Sequence, residues 1–274
     1  MDSYLSNLLK HLSESETVWF NKKMELIKAA ENEKELFFSF SFVQRKIERK
    51  EVVVDQRKWF TDELVRLFFI LAKEENDPET FYLKFEKLFI TSDSKESIAL
   101  LKSLPFYPYT KGLLNKASEG LRSNVSDIFK AVAIFNEFPQ KYFNEMTWNQ
   151  MILKSLFIDS PLYSIIGIDE KRNLDLNRML CDYALERIAA SRSINPELWR
   201  CVTDVSDNRI FSEWEKVFSN GNDFEKSAIG LISKRSKEQI SPSYSMLSNI
   251  SHEKLRYNTW DEIGEALELE RKEL

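Results

Sequence analysis

The chain has 274 residues but only 6 glycines and 7 prolines, where average usage of roughly 7% and 5% gives about 33 of the two together. So few turn formers cannot supply the tight turns of a β-sandwich, barrel or hairpin-rich fold, and the sequence predicts mostly helix. Neither Gly-rich phosphate loop, G-x-G-x-x-G or G-x-x-x-x-G-K-[ST], occurs. Lys and Arg number 39 against 44 Asp and Glu, a net charge of −5, which argues against a nucleic-acid partner.

The mildly basic stretch Gln44-Arg45-Lys46-Ile47-Glu48-Arg49-Lys50 interleaves an acid and reads as a solvated helix end. The longest apolar candidate, Leu67 to Ala72, stops at Lys73, so no integral membrane segment is expected, while peripheral association stays open. Met1-Asp2-Ser3-Tyr4 has neither a charged n-region nor an apolar h-region, so the expectation is a cytoplasmic protein without a signal peptide. Cys181 and Cys201 lack C-x-x-C spacing and read as reduced thiols, not metal ligands.

In chain order, Tyr4, Leu5, Leu8, Leu9 and Leu12 form a helical stripe that resumes at Val18, Leu26, Ile27 and Ala30. Phe38-Ser39-Phe40-Ser41-Phe42 alternates like a strand, but its flanks, Glu33 to Glu35 and Gln44 to Lys46, favour helix. Val52-Val53-Val54 is the one β-branched cluster. Asp55 after it reads as the N-cap of a long helix through Trp59, Leu64 and Leu71. Pro78 opens a helix carrying Phe81, Phe85, Leu88 and Phe89, and Ser94 starts another that ends before Pro105. Further helices are predicted over 110–120, 123–137, 144–158, 173–191, 196–202, 209–220, 223–234 and 261–272. Asp93 to Leu101 and Asp223 to Leu231 echo each other as the second helices of HEAT-type repeats do. With no flexible linker, the expectation is one all-α domain over 1–274, a HEAT/ARM-like α/α superhelix of stacked helical hairpins, with Phe-rich N-terminal helices over 1–94 and C-terminal helices over 204–274.

Between these flanks the composition changes. The sequence reads Leu121-Arg122-Ser123-Asn124, then Trp148-Asn149-Gln150-Met151-Ile152-Leu153-Lys154-Ser155-Leu156-Phe157, then Cys181-Asp182-Tyr183-Ala184-Leu185-Glu186-Arg187, then Asn195-Pro196-Glu197-Leu198-Trp199. This ordered series resembles the EboA-domain family of bacterial proteins, encoded beside a UbiA-type prenyltransferase and TIM-barrel or sugar-enzyme-like proteins. The resemblance covers about residues 95–203 well and the flanks loosely. It implies a HEAT-like superhelix without an established activity, connected with making or exporting secondary metabolites.

Lys154 lies in an otherwise apolar helix and wants a carboxylate. Arg178, Asp182 and Glu186 follow at i, i+4 and i+8, where the two acids repel each other unless a cation is near. Arg122, Asn124, Asn149, Gln150, Lys154, Arg178, Asp182, Tyr183, Glu186, Arg187 and Arg192 are therefore the candidates for a concave patch gripping a partner protein of the same gene cluster or a polar or anionic small molecule. The structural alternative is a buried salt-bridge network that sets helix register, with Ser123 or Asn124 and Asn195-Pro196-Glu197 as helix starts. Trp148 and Trp199 read as core anchors.

No catalytic residue, cofactor or metal site is assigned. D-D-x-x-D is absent, and its nearest features are Asp182-x-x-x-Glu186 and Asp261-x-x-x-Glu265. His11 and His252 lack the Glu three residues before them that a di-iron bundle needs and read as surface residues. Cys181, beside Asp182, reads as packing. The expected function is a non-catalytic scaffold or carrier. The rival is an enzyme using the Arg/Lys/Asp/Glu cluster on a small anionic substrate, which would place several of these groups in a closed pocket with displaced pKa values.

Overall fold

The computed structural model describes residues 1–55, 57–73, 75–205, 207–236, 240, 244–250 and 255–273. His252 lies outside the described residues. The chain divides into two compact units, residues 1–138 and 139–274, and the division falls inside the 95–203 segment.

The first unit runs α1 (Asp2–His11), α2 (Glu14–Ala29), α3 (Lys34–Lys46), β1 (Glu51–Val54), β2 (Arg57–Phe60), α4 (Thr61–Leu71), α5 (Pro78–Thr91), α6 (Ser94–Lys102), α7 (Leu114–Arg122) and α8 (Ser126–Ala133). Two short 3-10 turns, Leu104–Phe106 and Thr110–Leu113, separate α6 from α7. α9 (Glu137–Tyr142) leads into the second unit, which holds α10 (Glu145–Phe157), α11 (Leu174–Ala189), α12 (Leu198–Cys201), α13 (Asn208–Asn220), α14 (Asp223–Arg235), α15 (Ser245–Ser248) and α16 (Trp260–Glu273). Among the described residues the fold is all-α apart from one two-stranded sheet.

That sheet corrects the long helix expected from Asp55. Asp55 sits at φ 50, left-handed backbone that a short polar side chain tolerates, and turns the chain into a hairpin pairing Val54 with Arg57 and Val52 with Trp59. Three β-branched residues suit a pleated strand better than a helix. Trp59, a strand residue, is fully buried beside Arg57 on the inner face. The helix starts at Thr61, and every residue from Thr61 to Ile70 is buried, because α1, α2, α3 and α6 all pack on it. Phe20 stacks on Phe69 at 5.8 Å in this core. The aromatic run of α3 is helical as read from its flanks, with Phe38 stacked on Phe42 outside.

Other differences have local causes. The expected 123–137 helix breaks after Ala133: Phe135 takes φ 47 and buried Asn136 bonds the carbonyls of Leu101 and Ala131 and the N–H of Phe138, replacing helical partners. α8 starts after Val125, and Ser123 caps no helix; its Oγ accepts the Val125 N–H at 3.1 Å. Gly120 lies inside α7, where a Cβ would meet Leu101 Cδ1 at 2.7 Å and Val132 Cγ2 at 2.9 Å, so it serves close helix approach. The two echoing helices both open with a capping box, Asp93 with Glu96 and Asn222 with Glu225, one residue out of register with the aligned segments.

In the second unit, α11 packs on α13, α13 on α14 and α14 on α16, and Trp148, Trp199 and Trp214 are buried. Trp199 meets Trp214 edge to face at 5.1 Å. Both Trp148 and Trp199 are core residues, as read from the sequence. The 158–173 connection is held by polar anchors. Lys171 donates to the carbonyls of Gln140 and Phe143 and lies 5.1 Å from the Trp148 ring centre. Glu197, fully buried, accepts the N–H groups of Leu162 and Tyr163 at 3.2 and 2.6 Å.

Candidate functional site

The C-terminal end of α11 and the chain that follows it build the site. Ser191 takes φ 53 and ends α11 in a left-handed corner. Arg187 then donates from Nε and Nη2 to the Ser193 carbonyl at 2.9 and 2.5 Å, which pins the segment Ser193 to Pro196 against the helix. Two open clefts of about 430 and 470 Å³ flank this segment and share Ser193, Ile194, Pro196 and Glu225 as their common wall.

The first cleft has a floor of Trp199, Trp214 and Ile229 and a rim of Arg192, Glu213 and Lys216. The second is aromatic at its mouth. Phe157 is 65% exposed at the end of α10 and meets Tyr183 edge to face at 5.2 Å, and Arg187 stands over the Tyr183 ring at 5.9 Å. Phe224, also lining it, stacks flat on Tyr257 at 5.1 Å. Arg271 closes one side through Asp159 at 2.5 Å, and Asn195 donates to the same carboxylate at 3.2 Å.

The charges in the two clefts balance: Arg187, Arg192, Lys216 and Arg271 face Asp159, Glu213, Glu225 and Glu270. Several are already engaged, since Lys216 pairs with Glu213 at 3.4 Å and one Glu225 oxygen accepts the Asn222 N–H at 2.9 Å. The groove therefore offers aromatic faces with mixed polar groups, not a concentration of positive charge.

Of the sequence candidates, Tyr183, Arg187 and Arg192 line this groove. The others are placed differently. Asn149 is buried and exchanges two amide bonds with Asn173, the N-cap of α11, at 3.1 and 2.9 Å. Gln150 is exposed on α10. Lys154 is half-buried, and desolvation lowers its ammonium pKa. Arg178 pairs with Asp175 at 3.2 Å instead of Asp182, and both side chains are exposed. Asp182 and Glu186 are exposed and make no ion pair among the described residues; water screens their repulsion. Arg122 and Asn124 are exposed at the end of α7, in the first unit.

Charged side chains that the candidate set missed carry the buried polar chemistry of the second unit. Arg200 grips Asp169 at 2.6 Å and Asp261 at 2.6 Å. Burial raises Asp169, but its bonds to Arg200 outweigh that and hold its pKa below the ordinary range. Arg235 reaches from the end of α14 to the carbonyls of Trp199, Arg200 and Val202, and burial pushes it down to about 10. Glu197 is pushed up to about 7 by burial, against the pull of its two backbone donors. Burial, with Asp182 next, raises Cys181 to about 11, which keeps its thiol protonated. His11 is half-buried, not on the surface, with Nδ1 2.7 Å from the Asn7 carbonyl. Pro-Glu-Leu-Trp did signal Glu197, but as a helix start; nothing local in sequence tells which backbone it bonds.

The candidate site is thus an open, aromatic, charge-balanced groove in a chain that is helical apart from one hairpin among the described residues. The chain belongs to the EboA family: the family model described as metabolite traffic protein EboA matches residues 1–203. The match extends through the Phe-rich first 94 residues and ends before the helices that supply Trp214, Glu225 and Arg271 to the groove. No curated protein and no solved structure matches the chain. Among the described residues no helix is long and apolar enough to cross a membrane.

Proposed function

We propose that this chain is a non-catalytic, cytoplasmic carrier in bacterial metabolite traffic, and that the groove beside Ser193 to Pro196 holds a small molecule with a flat apolar part and polar substituents. The observation that supports this reading is the aromatic mouth, where Phe157, Tyr183 and Phe224 surround an open cleft and Phe157 is exposed at 65%. An exposed phenylalanine braced edge to face by a tyrosine gives a ligand ring a preformed stacking partner. The balanced charges favour a zwitterionic or neutral polar ligand over a polyanion. The family's metabolite traffic description agrees with transfer without chemistry. The stacked-hairpin superhelix belongs to the same proposal, as the scaffold that keeps the groove open for loading and release.

The enzyme reading is less favoured, because the displaced pKa values at Glu197 and Arg235 belong to groups occupied by backbone, and that at Asp169 to a carboxylate occupied by Arg200. The test is to isolate the protein from its host and to analyse small molecules retained by wild type and by Phe157→Ala/Tyr183→Ala. A compound kept by wild type and lost by at least tenfold in the variant is expected. No retained compound, or equal retention in both, refutes the proposal.

A further inference from the structure

The first unit contains a polar site of a different kind, at the start of α4. Asp62, buried, accepts Arg49 Nη1 at 2.6 and 2.8 Å and Arg66 Nη1 at 2.8 Å. Glu63, also buried, accepts Lys102 Nζ at 2.8 Å, Arg49 Nη2 at 3.2 Å and the Phe60 N–H at 3.0 Å. Arg57 donates to the Lys102 carbonyl at 2.6 Å and lies over Trp59. Three cations, Arg49, Arg66 and Lys102, thus bond the two carboxylates, while Arg57 bonds a carbonyl and feels Glu63 and Glu137 at longer range. Burial pushes Arg57 down to about 10 against the pull of Tyr4, Glu63 and Glu137, and burial also lowers Lys102.

Arg66 is the decisive group. It is 1% exposed, and its bonds to the Asp62 carboxylate and to the Asp62 carbonyl at 3.3 Å all leave from Nη1. Its Nε and Nη2 have no partner among the described residues. Those two nitrogens form one edge of the planar guanidinium, with parallel N–H bonds spaced for the two oxygens of a carboxylate or of a tetrahedral oxyanion. The Phe40 ring, 5.5 Å from Cζ, attracts the charge but brings no oxygen to that edge. A buried charged donor left open is among the least favourable arrangements in a protein interior.

We propose that the first unit binds one small oxyanion, a carboxylate or a phosphate-like group, on the Nε–Nη2 edge of Arg66, where it accepts from the two nitrogens that no described residue bonds. The site is independent of the groove in the second unit.

The test is thermal unfolding of the full chain in titrations of inorganic phosphate and of acetate, with ionic strength held constant by chloride. For wild type the melting temperature is expected to rise by about 2–4 °C for each tenfold increase of the bound anion above its Kd. Arg66→Lys keeps a cation beside Asp62 but has no fork, and its response should be flat. A response to phosphate alone assigns a tetrahedral anion, to acetate alone a carboxylate, and to both their shared geometry. Equal responses in wild type and variant, or none in wild type, overturn the proposal. Should Arg66→Lys not fold, the wild-type curve decides: a rise with the logarithm of concentration supports a single site, and a rise linear in concentration is general salting and overturns it.

Discussion

Glu197 makes the stability of the second unit depend on pH in a direction opposite to most carboxylates. Its side chain is fully buried, and burial lifts its pKa from 4.5 to about 7 despite the N–H groups of Leu162 and Tyr163. Between those two values the folded chain holds a proton that the unfolded chain has lost. The contribution of Glu197 to stability is therefore greatest below pH 4.5 and falls as the pH rises through 7. One pH unit of displacement corresponds to about 1.36 kcal/mol, so the whole window amounts to about 3 kcal/mol, of which roughly 2–3 kcal/mol falls between pH 5 and 8.

Glu197→Gln keeps the shape and removes the titration. Its amide oxygen still serves one backbone donor, while the other faces an NH2 group, an arrangement resembling the protonated acid. Urea unfolding of wild type and Glu197→Gln, measured from pH 5 to 8, isolates the effect, since all other titrating groups are common to both. The difference between the two curves should move in favour of the variant by roughly 2–3 kcal/mol as pH rises. A constant difference across the range, or one that moves towards wild type, refutes the account of Glu197 as a carboxyl held by burial.

Two further changes test the fold and the site. Gly120→Ala places a methyl within 3 Å of Leu101 and Val132; overpacking of about 1–3 kcal/mol outweighs a helix-propensity gain of about 1 kcal/mol, so a lower melting temperature is expected. An unchanged or higher value would mean that α6, α7 and α8 are less tightly apposed than described. Ser191→Gly relieves the left-handed backbone at φ 53 in an exposed corner and should stabilise by about 0.5–1 kcal/mol in chemical denaturation, with destabilisation counting against a strained corner.

Much of the helical layout was legible because its signals are local. Asp77 before Pro78, Asn144 and Asn173 cap their helices through side-chain oxygens, and the apolar spacing marks the inward faces. The hairpin at Asp55 was missed because a turn there depends on one residue adopting left-handed backbone, which Asp permits as readily as it caps a helix. Only part of the site was legible. Tyr183, Arg187 and Arg192 were found as a polar cluster in sequence, whereas Phe224 and Arg271 reach the same groove from helices far along the chain.

What the sequence determined alone is the helical class, through its poverty in glycine and proline, and the family, through an ordered series of motifs. Which charges are buried together was decided by tertiary structure. Arg200 lies 31 residues from Asp169 and 61 from Asp261, and Lys102 lies 39 from Glu63. Helical periodicity relates only neighbours three or four positions apart, so partners at such separations come together only when whole helices pack. The same packing leaves Phe157 exposed and Arg66 with an open edge, the two features on which the proposals for this chain rest.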